Sequence, residues 1–155
     1  MQEIILVEDS DNDAALVRRA LRSLSVANPV RHLETGTDAL AYLNALLENA
    51  AVALPSVSII FIDLVLPGTS GFEVLRHIAG QSAFAKTLRI VLTNLTDTDT
   101  IKRAYSLGAH SFLIKPIQSG DLQELMTSFP SHWSFDLHTS NPVWQKDRGA
   151  GVPVT

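Results

Sequence analysis

The chain of 155 residues predicts an α/β protein built on a doubly wound, five-stranded parallel sheet. Two observations carry this. Apolar runs of strand length alternate five times with segments whose apolar residues recur at helical spacing, and such βα units in series imply a parallel sheet with helices on both faces. The run from Val57 to Ile62 is almost continuously apolar, as a strand buried on both faces must be.

The elements follow in order. "EIILVE" (3–8) is a short β-branched run, after which Ala14, Val17, Leu21 and Leu24 mark one face of a helix. "PVRHLE" (29–34) is the second strand, and Leu40, Leu43, Leu46 and Leu47 mark the second helix. The third strand, ending at Ile62, leads to a third helix through Leu75 and Ile78, with Ser70 and Glu73 spaced as a capping box. "TLRIVLT" (87–93) is the fourth strand, followed by a helix from about Asp97 to Leu107. "HSFLIK" (110–115) is the fifth, and Ser119 is placed to cap a last helix carrying Leu122, Leu125, Met126 and Phe129. The pattern stops near residue 130. Residues 1–130 read as one domain and 131–155 as a tail, whose Trp133, Phe135 and Trp144 are too aromatic for a solvated linker and whose final "DRGAGVPVT" reads as disordered.

Composition narrows the function. A net charge of −4 speaks against a nucleic-acid surface. Without cysteine there are no disulfides, thiolate sites or cysteine nucleophiles. The start "MQEIILVED" is no signal peptide, and no stretch reaches the roughly 18 apolar residues of a membrane helix. A cytoplasmic protein with no membrane partner is the expectation.

The string "ILVEDSDNDAALV" places acids at Asp9, Asp11 and Asp13. It is not a calcium loop, because the positions requiring glycine and a bidentate glutamate are Ala14 and Ala20. Ligands of a parallel α/β sheet bind at the carboxyl ends of the strands, and there Glu8 and Asp9 end the first strand, Asp63 the third, Thr93 the fourth and Lys115 the fifth. Such a set suits Mg²⁺ with phosphate oxygens, with Asp63 as a carboxylate nucleophile and Lys115 and Thr93 engaging the phosphate. It fits phosphoryl transfer onto Asp63. Asp11 and Asp13 read instead as charges suited to the start of the first helix.

"ILVEDS", "IIFIDLVLPGTSGFEVL", "IVLT" and "GAHSFLIKP" together resemble the response-regulator receiver domains of bacterial two-component signalling, which have a flavodoxin-like (βα)5 fold. The resemblance covers residues 3–129. It implies a non-enzymatic signalling protein phosphorylated on Asp63 by a sensor histidine kinase. It implies Mg²⁺ held by Glu8, Asp9, Asp63 and the backbone carbonyl of Val65, with Thr93 and Phe112 as switch residues and a cis bond before Pro116. Its output is a protein–protein contact with an unknown downstream partner; the alternative is a relay passing phosphate to a histidine phosphotransfer protein. "DALAYL" (38–43), the loop "ENAAVALPS" and "FPSHWSF" look like the stand-alone receivers that partner phytochrome-type kinases. Those often form homodimers through the fourth helix, fifth strand and fifth helix, aided by the terminal extension. Leu122, Met126 and Phe129 read as core as readily as interface.

The sequence also departs from the family. Asn94 stands where a small residue is usual, and Val65 and Leu95 are apolar where a polar side chain could orient an attacking water, so slow loss of phosphate is expected. Other chemistries find no motif. A dehalogenase-type phosphatase would need an acid at Val65, "GTSGF" is no nucleophile elbow, and no phosphate-binding glycine loop follows the first strand. His32, His77, His110, His132 and His138 are scattered.

Overall fold

Alternate residues of the two central strands supply two separate cores. In β1 (Glu3–Val7), Ile4 and Leu6 face one layer of helices while Ile5 and Val7 face the other. In β3 (Val57–Asp63), Ile59 and Phe61 divide in the same way from Ile60 and Ile62. This is the period-two consequence of a sheet covered on both sides. The computed structural model describes residues 1–49, 57–94 and 97–147. Most of the loop before β3, together with Leu95 and the last residues of the chain, lies outside the described residues.

β1, β2 (Val30–Leu33), β3, β4 (Leu88–Thr93) and β5 (Ser111–Ile114) form a parallel sheet in the order β2-β1-β3-β4-β5. The order reverses between β1 and β3, where a doubly wound sheet opens its crevice. α1 (Asp11–Ser23) and α5 (Ser119–Ser128) pack on one face, and α2 (Gly36–Glu48) and α3 (Gly71–Ala79) on the other. α4 (Thr98–Ser106) contributes Ala104 to the second core. No helix among the described residues is long and apolar enough to cross a membrane.

The helices begin where side-chain acceptors meet unpaired N–H groups. Ser10 Oγ accepts from the Asp13 N–H at 3.2 Å, Thr35 Oγ1 from Asp38 at 3.0 Å, Ser70 Oγ from Glu73 at 3.3 Å and Asp97 from Thr100 at 2.9 Å. α5 differs from the sequence expectation by one residue. Ser119 is its first residue and Gln118 its cap, because the Gln118 N–H finds the Asp121 carboxylate at 2.8 Å. Leu122 and Met126 are buried and Phe129 packs partly buried against the same core, so these three serve the interior.

The aperiodic segment after α5 is also part of that interior. β6 (Trp133–Phe135) and β7 (Pro142–Trp144) form an antiparallel pair with Trp133 opposite Trp144. Trp144 is the largest fully buried side chain among the described residues and sits in the α1/α5 core. Its strand crosses the amino-terminal edge of the sheet. The Ala27 N–H donates to the Pro142 carbonyl at 3.0 Å, and the Trp144 N–H to Asn28 Oδ1 at 2.7 Å. Asn28 Nδ2 in turn donates to the carbonyls of Trp144 and Gln2 at 2.9 and 2.7 Å. The aromatic residues of the segment speak against a solvated linker, but its strands are too short to carry a period: β6 has no fully buried residue and β7 has one, Trp144.

Candidate functional site

At the opposite, carboxyl-terminal edge, four strand ends deliver polar side chains to one cleft. It measures about 320 Å³ and is lined by Glu8, Asp9, Ser10, Asp13, Asp63, Val65, Thr93, Asn94 and Lys115. Each strand is held by its neighbours up to this point: the Glu8 N–H donates to the Leu33 carbonyl at 3.0 Å, and the Lys115 N–H to the Thr93 carbonyl at 2.9 Å. The parallel register thus aligns residues far apart in sequence.

Lys115 is the electrostatic centre. Its Nζ lies 2.6 Å from Glu8 Oε2, 2.9 Å from Asp63 Oδ2 and 3.3 Å from Asp13 Oδ2. Glu8 is fully buried, and its other oxygen accepts the Ser10 N–H at 3.1 Å. Burial pushes the Glu8 carboxyl up to about 7, against the opposing pull of Lys115 and the Ser10 N–H. Burial works against the Lys115 charge too, but the hydrogen bonds and negative charge of Glu8 and Asp63 outweigh it and hold the ammonium above its ordinary range. Asp63 is engaged at both oxygens, because Oδ1 accepts the Val65 N–H at 3.1 Å.

The other sequence-selected residues fall around this centre. Carboxylate oxygens of Glu8, Asp9 and Asp63 lie within 4.8 Å of one another, with Asp9 the exposed member. Three hard oxygen donors at that separation fit a divalent cation that keeps some of its water. Thr93 is buried at the end of β4. Val65 presents an exposed side chain to the cleft. Phe112 lies outside it, partly buried against the α2/α3 core and edge-on to Tyr105 at 6.3 Å between ring centres. The Lys115–Pro116 peptide bond is cis.

Asp13 adds to the sequence reading. It lies in the first turn of α1, as expected, and its carboxylate also pairs with Lys115 across 102 positions of chain. One signal was available: Asp13 precedes Val17 by four residues and so continues the buried stripe of α1 toward the cleft.

Comparison with known proteins agrees with this geometry. The model of the response regulator receiver domain matches residues 4–127. The chain is 35% identical over 130 residues to the probable methanogenesis regulatory protein FilR2 of Methanothrix harundinacea, covering 84% of this chain and 82% of that protein. It is 30% identical to the response regulator Rcp1 of Synechocystis sp., over 84% of this chain and 87% of Rcp1. Among solved structures, the Mn²⁺-bound form of Rcp1 matches with a TM-score of 0.63 at 28% identity, over 84% of this chain and 93% of that one. The bacteriophytochrome response regulator AtBRR matches with a TM-score of 0.74 at 28% identity, over 89% of this chain and 99% of that one.

Proposed function

The chain belongs to the response regulator receiver family, signalling proteins that bind a divalent metal, and from that premise we propose that it accepts a phosphoryl group on Asp63 from a phosphohistidine of a sensor histidine kinase. The observation that carries this reading is the Asp63 carboxylate held between the Val65 N–H and the Lys115 ammonium at the mouth of an acidic cleft. A carboxylate so fixed is oriented for in-line attack, and the ammonium offsets the charge that arrives with the phosphoryl group. As the new P–O bond forms on Asp63, the P–N bond of the donor breaks and imidazole leaves with its electron pair.

Glu8, Asp9, Asp63 and the backbone carbonyl of Val65 would hold the metal, for which we propose Mg²⁺; it supplies neutralisation of phosphoryl oxygens when bound. The Thr93 hydroxyl closes on the phosphoryl group, and Phe112 moves inward as Thr93 does. Tyr105 and Ile114, 45% and 49% exposed, lie on the surface this movement alters. That surface and the hairpin residues Phe135 and Leu137, also exposed, support a homodimer through α4, β5 and α5. Similarity to AtBRR supports a phytochrome-type kinase as the donor, and the protein would act in the cytoplasm.

Incubation with Mg²⁺ and acetyl phosphate followed by intact mass tests the central claim. Wild type gains one phosphate-sized adduct and Asp63→Asn gains none. An adduct of equal yield on the variant would overturn the assignment. Phosphotransfer from a phosphorylated bacteriophytochrome kinase, compared with an unrelated histidine kinase, tests the donor.

A further inference from the structure

The Lys115 ammonium donates to the carboxylates of Asp63 and Asp13 and is ion-paired with Glu8. Glu8, Asp63 and Asp13 stand at 2.6, 2.9 and 3.3 Å from Nζ. The lysine side chain is 5% exposed, so its ammonium is surrounded by these carboxylates and not by water. A phosphoryl group on Asp63 brings further oxygens that require an N–H of the ammonium, and a carboxylate has to give way. Asp63 stays in place as the anchor of the phosphoryl group. Glu8 makes the shortest contact and is fully buried, so releasing it would strand a charge away from water. Asp13 makes the longest contact, and its side chain is 31% exposed. It can return to water at the least cost.

We infer that Asp13 is the exchange partner of the phosphoryl group at Lys115: it holds the ammonium in the unphosphorylated protein and yields it when Asp63 carries phosphate. It is a positioning residue that acts through Lys115, and its role rests on the phosphoacceptor reading of Asp63. Because Asp13 lies in the first turn of α1, phosphorylation leaves an unpaired carboxylate at the start of that helix. The state of Asp63 is thereby written onto α1, on the side of the cleft away from α4. In the unphosphorylated protein Asp13 also opposes anionic donors, both by its charge and by occupying Lys115.

The test uses acetyl phosphate and Mg²⁺, with initial rates of adduct formation followed by intact mass over a range of donor concentrations. In the reaction the Asp63 carboxylate oxygen bonds to phosphorus while the bond from phosphorus to the acetyl oxygen breaks. Acetate leaves with the electron pair, and no proton is exchanged. Asp13→Asn lowers the donor concentration for half-maximal rate about fivefold, the scale of one partly exposed ion pair, with little change in maximal rate. Asp13→Glu, which keeps the charge, stays close to wild type. The gap between Asp13→Asn and wild type shrinks as salt is raised. Asp13→Ser, which keeps a polar side chain in the helix's first turn, behaves like Asp13→Asn. An Asp13→Asn protein with wild-type donor dependence overturns the inference, as does a fall in maximal rate shared by all three variants. Those results leave the assignment of Asp63 standing. Failure of wild type itself to form an adduct, matching Asp63→Asn, overturns both.

Discussion

The backbone carbonyl of Asp63 lies so close to Gly71 that a β-carbon on residue 71 would stand 2.1 Å from its oxygen. The contact is reinforced by the Gly71 N–H, which donates to the Leu64 carbonyl at 3.1 Å. The amino-terminal turn of α3 is thus pressed against the loop that carries the phosphoacceptor, and only the absence of a side chain permits it.

Gly71→Ala is expected to push α3 and the Asp63 loop apart. The backbone oxygen cannot rotate away as a side chain could, so the stability loss should be about 1–3 kcal/mol, read by urea denaturation. Asp63 would leave its position relative to Lys115, and acetyl phosphate labelling should slow by an order of magnitude or more. A variant as stable and as reactive as wild type would contradict the close approach.

Trp144 gives a second prediction, about the hairpin rather than the site. Trp144→Ala empties a fully buried position in the α1/α5 core and should cost about 3–5 kcal/mol. Asn28→Ala should cost less, roughly 1–3 kcal/mol, by unpairing the Trp144 backbone groups it now satisfies. Unfolding midpoints in urea that do not move would show that the hairpin is not part of the cooperative unit.

The third prediction concerns pH. His110 Nδ1 accepts the Arg89 N–H at 3.0 Å, which requires the neutral ring. Burial, the Arg89 guanidinium and His132 push His110 from 6.5 down to about 4, with Asp147 pulling weakly the other way. Between those two values the unfolded chain takes up a proton that the folded protein refuses, so this residue makes stability fall as pH drops through that window. Its share should reach roughly 2–3 kcal/mol at the acid end. His110→Gln should flatten the wild-type decline in melting temperature between neutral pH and the acid end. An undiminished slope would assign the acid sensitivity elsewhere.

Metal binding is the fourth. Asp9 is the exposed member of the acidic trio, so Asp9→Asn removes a charged oxygen donor with little effect on packing. Calorimetric titration with Mg²⁺ or Mn²⁺ should show affinity reduced by roughly tenfold or more. Binding of wild-type strength would exclude Asp9 as a ligand.

A fifth concerns the lifetime of the phosphoryl group. The apolar Val65 side chain is 69% exposed at the cleft and cannot orient a water molecule. Val65→Gln should shorten the lifetime of the adduct several-fold, and Leu95→Glu is expected to do the same on the sequence pattern alone. Unchanged decay in both would show that access rather than orientation limits hydrolysis.

Much of this molecule was legible before the structure. Glu8, Asp9, Asp63, Thr93 and Lys115 each follow or end an apolar run, and a parallel sheet brings such positions to one edge whatever the details of packing. Gln118 as the cap of α5 was not legible, since the choice between it and Ser119 turned on which N–H meets Asp121. Nor was the place of Trp144, because strands of three residues carry no period to read.

The sequence alone determined the order and type of the elements and the edge at which the polar residues gather, because hydrophobic period and strand endings are local properties of the chain. Only the tertiary structure decided that Asp13 shares Lys115 with Glu8 and Asp63, that Gly71 abuts Asp63, and that Trp144 closes the core. Each of these depends on atoms brought within a few ångströms by register and packing between elements, and no pattern within a single element encodes that distance.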